Sequence, residues 1–189
     1  ESGSSQAQAF SPRVVGYYTG YSIYELPNRD SYFVTDIPTY DLTHLNYAHI
    51  DISDSGQCES ADDWADMRFP YPGDSNFQSL RGNFYQLQLL DAAKPELVIM
   101  MSIGGWDFSD GFSEVAASEA SRERFVSSCI AFMRRYDFEG IDIDWRHPVS
   151  GGRLRGRPED YENYPLLMEE FRTQLDAAAA RDESRYELS

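Results

Sequence analysis

Between Gly140 and Trp145 the chain sets Asp142 and Asp144 on alternate positions of a run that is otherwise Gly, Ile and Trp, and Arg146 continues the alternation. Aspartate is a poor strand former and costly to bury, so this row needs either a partner or a task. Side chains alternate across a strand, which places Gly140, Asp142, Asp144 and Arg146 on one face and Ile141, Ile143 and Trp145 on the other. Carboxylates so placed suit proton handling in general acid–base chemistry. Arg146 does not, because a guanidinium stays charged well above neutral pH and can only donate hydrogen bonds. It is expected to pair with Asp144 or Asp142, two and four residues away on the same face, and so to offset the cost of burying them.

The elements that must position this row alternate between strand and helix. Val14–Tyr18, Leu45–Ile52 and Leu97–Ile103 are apolar runs with the character of buried strands, and Gly140–Trp145 is a fourth. Asn83–Ala93 has helical periodicity and is stopped by Pro95. Ser118 is placed to cap a helix carrying Phe125, Cys129, Phe132, Met133 and Tyr136 on one face. Glu159–Arg181 forms the last helix, where Pro165 implies a late start or a kink, and Tyr186–Ser189 begins a further strand. Residues 19–43 are expected as loop with a short or irregular helix, 147–158 as loop, and 53–79 as a long polar loop of functional length. This order predicts an α/β fold with a parallel sheet: a partial (β/α)8 TIM barrel of about four βα units, since a whole one takes about 200–250 residues. The acidic row then lies at a strand's C-terminal end, where such folds place their active sites. The domain is expected over 14–189, after a flexible segment at 1–13.

The 189 residues, 41% of them hydrophobic, suffice for one buried core. A net charge of −16 argues against nucleic acid and anionic membrane surfaces as partners. No apolar run approaches the roughly 18 residues that span a bilayer. The opening ESGSSQAQAF lacks the apolar stretch of a signal peptide and fits either the remainder of one or a linker. Cys58, in a polar stretch, and Cys129, on a helical face, are expected as free thiols with Cys129 in the core. His44, His49 and His147 are scattered and read as buried or hydrogen-bonded side chains; no metal ligand set and no cofactor is expected.

EGIDIDWRHP resembles the Asp-x-x-Asp-x-Asp-x-Glu signature of glycoside hydrolase family 18, the chitinases. Glu139, Asp142 and Asp144 match its first three acids, and Arg146 stands at the position of its catalytic glutamate. MSIGGW, residues 101 to 106, is similar to the family's Ser-x-Gly-Gly motif on the third strand, VVGYYTGY to its first strand and LTHLNYAHIDI to its second. The likeness runs from Val14 to the last residue and is nearest to bacterial secreted chitinases, which implies an extracellular location. In that family the glutamate protonates the glycosidic oxygen while the substrate's own N-acetyl carbonyl attacks the anomeric carbon. The resemblance implies that Asp144 orients the acetamido group, that Asp142 holds a shared proton, that Tyr17 and Ser102 support them, and that Gly105 and Trp106 belong to the sugar site. It also implies that Arg146 inactivates the site. Three readings follow: a non-hydrolytic protein that binds chitin or chito-oligosaccharides, a fragment of an active secreted endochitinase acting on β-1,4-linked N-acetylglucosamine, or a half-barrel that assembles with a second half-barrel.

Overall fold

The computed structural model describes residues 12–75 and 77–189; most of the segment expected to be flexible lies outside them. Its strands are β1 (Val15–Thr19), β2 (His44–Ile52), β3 (Cys58–Ser60), β4 (Val98–Gly104), β5 (Gly140–Trp145) and β6 (Glu187–Leu188). The α-helices are α1 (Asp63–Met67), α2 (Gly82–Ala93), α3 (Gly105–Phe108), α4 (Phe112–Ala116), α5 (Glu119–Arg135) and α6 (Asp160–Asp182), and three short 3-10 turns fill the stretch after β1. The sheet runs β1-β2-β4-β5-β6, all parallel. This is the expected succession of about four βα units, with the start of one more strand.

The strands are near-continuous apolar runs because helices cover the sheet's outer face. Tyr47 of β2 packs edge-on against Phe84 of α2, Phe112 of α4 stacks on Trp145 of β5, and Phe125 of α5 meets Phe171 of α6. Ser118 caps α5 as its position suggested, accepting from the Ser121 amide. In β5 the apolar trio Ile141, Ile143 and Trp145 is buried against these helices, which turns the acidic row to the inner side. The Ala48–His49 and Arg146–His147 peptide bonds are cis.

Two expectations are corrected, and of the two alternatives for Pro165 the late start is excluded. Residues 53–79 are not one polar loop: the chain turns at Asp54–Gly56, β3 pairs back on β2 antiparallel, and Asp62 caps α1 by accepting from the Trp64 and Ala65 amides. The turn residues mask a three-residue strand too short to show alternation. Cys58 and Cys129 are not free thiols but a disulfide that fastens this hairpin to α5. The antiparallel pairing is what carries Cys58 from a polar stretch to the helix. Closing a loop of 71 residues stabilises the fold by about 4 kcal/mol in the chain-entropy account. Finally, α6 starts at Asp160, so Pro165 does not delay it but falls within its second turn. Asp160 is buried and accepts from the Ser113 hydroxyl at 2.8 Å and the Arg157 amide at 2.7 Å, which ties the 147–158 loop to α4. Among the described residues no helix is long and apolar enough to cross a membrane.

Candidate active site

Parallel register assembles the site. Ser102 lies beside Asp142 and Gly104 beside Asp144 across β4 and β5, while Tyr17 comes from β1 two strands further over. Asp142 is buried, and its oxygens are filled by hydroxyls. Oδ2 accepts from Tyr17 at 2.9 Å and Ser102 at 2.7 Å, and Oδ1 accepts from the Ser189 hydroxyl at 2.7 Å. Burial, and after it the Asp142 charge, pushes the Tyr17 phenol above its ordinary pKa, so Tyr17 acts here as a neutral donor.

Asp144 is held differently. Its Oδ1 accepts from Arg146 Nε at 2.6 Å, the pairing expected from the strand alternation. The hydrogen bond to Asp144 in turn raises the guanidinium's pKa. The second oxygen, Oδ2, is buried and makes no hydrogen bond; the atom facing it is Nε2 of His49, 3.4 Å away. Burial pulls the His49 pKa below the usual histidine value, against the upward pull of Asp144.

Sequence alternation does not reveal His49 as a neighbour of Asp144. On a regular strand it would share the outward face of Tyr47. Instead the register shifts between Ala48, paired with Ser102, and Ile50, paired with Ile103, so one extra residue is accommodated there and His49 turns to the inner side. The one legible trace is the Gly-Gly pair. Gly105 has a φ of 75°, and a Cβ there would lie 2.5 Å from His49 Nε2; at Gly104, with φ 106°, it would lie 2.6 Å from the Asp144 carbonyl oxygen. Gly105 thus serves the site by lacking a side chain. Ser109, another residue without a sequence signal, accepts from the Arg146 amide at 2.9 Å and donates to the Gly105 carbonyl at 2.6 Å, locking the end of β5 to α3.

Tyr17 and Trp106 are 55% and 51% exposed, and Arg146 is 49% exposed beside Asp144. Glu139 does not join them. Its carboxylate accepts from the Ile99 amide at 2.8 Å, and its own amide donates to the Ile99 carbonyl at 2.8 Å, so it fastens β5 to β4 below the site. Among the described residues no group of three or more His, Cys, Asp or Glu side chains is arranged to hold a metal ion. The arrangement offers hydroxyl donors, an ion-paired carboxylate and exposed aromatic faces, with a guanidinium at the last position of the row.

A family model described as glycosyl hydrolases family 18 matches residues 13–189. Chitinase A1 of Niallia circulans is 37% identical over 96% of this chain and 30% of its own length. Endochitinase 1 of Metarhizium robertsii is 34% identical over 87% of this chain and 37% of its own length. Among solved structures, chitinase ChiA74 from Bacillus thuringiensis superposes with a TM-score of 0.85 at 31% identity, covering 95% of this chain and 35% of that one. The catalytic domain of the psychrophilic chitinase B from Arthrobacter TAD20 gives 0.82 at 30% identity, covering 93% of this chain and 51% of that one. The chain spans about a third of the length of these two curated relatives.

Proposed function

The chain belongs to glycoside hydrolase family 18, and from that premise we propose that it is a chitinase-like domain that binds N-acetylglucosamine polymers without cleaving them. The observation that carries this reading is the Arg146–Asp144 ion pair at the end of β5. A guanidinium does not release a proton near neutral pH, and loss of a general acid removes about 10²- to 10⁴-fold of rate. A fixed cation also opposes the positive charge that grows on an oxazolinium-like transition state.

What remains suits binding. Asp142 with its hydroxyl donors and Asp144 supply the polar floor, Asp144 being the acceptor for an acetamido N–H, and Tyr17 and Trp106 supply faces on which pyranose rings stack. The Cys58–Cys129 disulfide supports an extracellular location, because such bonds persist in oxidising compartments. Calorimetric titration with tetra-N-acetylchitotetraose, followed by mass spectrometry of the mixture after prolonged incubation, tests both halves of the proposal. Saturable binding with intact tetramer is expected; shorter oligomers would refute the loss of hydrolysis, and absence of binding would refute the sugar site.

A second reading is favoured by the sheet itself. Among the described residues β1 and β6 each pair on one side only. Further strands, from the same polypeptide or from a second half-barrel, would satisfy those edges. Light scattering of the 189-residue chain distinguishes the sources, since a second copy requires a dimer.

A further inference from the structure

We infer that His49 is a positioning residue that competes with Arg146 for Asp144, so that a proton on His49 decides whether Asp144 is free to receive a sugar amide. The second clause rests on the sugar-binding reading above; the first stands on geometry alone. Asp144 lies between two nitrogen bases. Arg146 Nε is 2.6 Å from Oδ1, and His49 Nε2 is 3.4 Å from Oδ2, the buried oxygen that has no hydrogen bond. The register shift in β2 and the missing Cβ at Gly105 together hold the imidazole there.

The surroundings of His49 are mainly acidic or neutral. From β5 it is faced by Asp142 and Asp144, and beyond the strand by Arg146. It also lines a cavity of about 140 Å³ with Asp62 and Asp66 at α1, Tyr47 on its own strand, Tyr21 after β1 and Phe108 of α3. Arg146 is therefore the cation set against it at Asp144. With His49 neutral, Arg146 alone neutralises Asp144 and occupies Oδ1. A protonated His49 gives Oδ2 the charged donor it lacks and repels the guanidinium, which is half exposed and can move into solvent. Oδ1 is then open to a ligand N–H. Because burial depresses the His49 pKa and Arg146 acts in the same direction, the exchange falls on the acid side of ordinary histidine titration.

Histidine ring resonances followed by NMR from pH 4.5 to 8 test the competition directly, since the chain has three histidines and His49→Asn identifies the one in question. In Arg146→Gln, a change at a half-exposed side chain, the His49 midpoint should rise by about one pH unit as a neighbouring cation is removed. Affinity for tetra-N-acetylchitotetraose should increase as pH falls through the parent's midpoint, by up to about tenfold per pH unit, and become pH-independent in Arg146→Gln. An unmoved midpoint overturns the proposal, as does pH-independent binding of the tetramer by the parent. A moved midpoint with no tetramer bound at any pH upholds the competition and refutes the sugar-binding reading instead.

Discussion

At the α1 wall, Asp66 is held by hydroxyls and, among the described residues, no cation: Tyr47 donates to Oδ1, Ser60 to Oδ2, and Asn83 closes the network by donating to the Tyr47 oxygen at 3.0 Å. At the end of β5, Asp144 meets a guanidinium on one oxygen and leaves the other without a donor. Both carboxylates are largely withdrawn from water, yet the two environments achieve different things. Hydroxyls satisfy the oxygens of Asp66 without cancelling its charge, so burial pushes its pKa up to about 6 even though Ser60 and Tyr47 pull it back. A cation cancels the charge of Asp144 but takes up a lone pair that a ligand would otherwise use. The first arrangement serves the fold; in the proposed sugar-binding reading, the second holds back an acceptor until Arg146 moves away.

The comparison breaks most sharply by removing each acid. Asp66→Leu should cost about 2–4 kcal/mol, because it leaves the Tyr47 and Ser60 hydroxyls inside the protein without an acceptor. Urea denaturation at neutral pH measures this, and a loss under 1 kcal/mol would show that the network is not structural. Next in size is a pH effect. Asp66 holds its proton more tightly when folded, with a pKa of about 6 against 3.8, so the native state binds more protons than the unfolded chain between those values. Its stabilising contribution is therefore complete below about pH 4 and is lost as pH rises through 6, for a total of about 2–3 kcal/mol. Asp66→Asn should remove that slope from a stability–pH profile, and an unchanged slope would assign it elsewhere. The smallest effect belongs to the other carboxylate. Asp144→Asn should alter stability by less than about 1 kcal/mol, because its partner Arg146 is half exposed and screened by solvent.

The same contrast marks how far the sequence could be read. The inward row on β5 and the pairing of Arg146 with Asp144 were legible because both depend on strand alternation within one segment. The parallel order of β1, β2, β4 and β5 was legible for a similar reason, since each is an apolar run long enough to show its character. His49 was not, because a register shift reverses alternation at that residue and leaves no mark in β2 itself. The Cys58–Cys129 bond and the Asp66 network were hidden together. Both depend on the β3 hairpin, whose turn and cap residues read as loop until its antiparallel pairing with β2 is seen. The Ser-x-Gly-Gly stretch was recognisable as a motif, but its physical reason, room for the His49 ring and the Asp144 backbone, appears only in three dimensions.

Turnover of tetra-N-acetylchitotetraose by the gene's whole product, parent against Arg146→Glu, addresses the role of Arg146 most directly. Restoring a carboxylic acid at position 146 both frees Asp144 and supplies a proton donor, so a rate gain of about 10²- to 10⁴-fold is expected. Equal rates in the two proteins would contradict the account, because Arg146 would then not be what withholds hydrolysis.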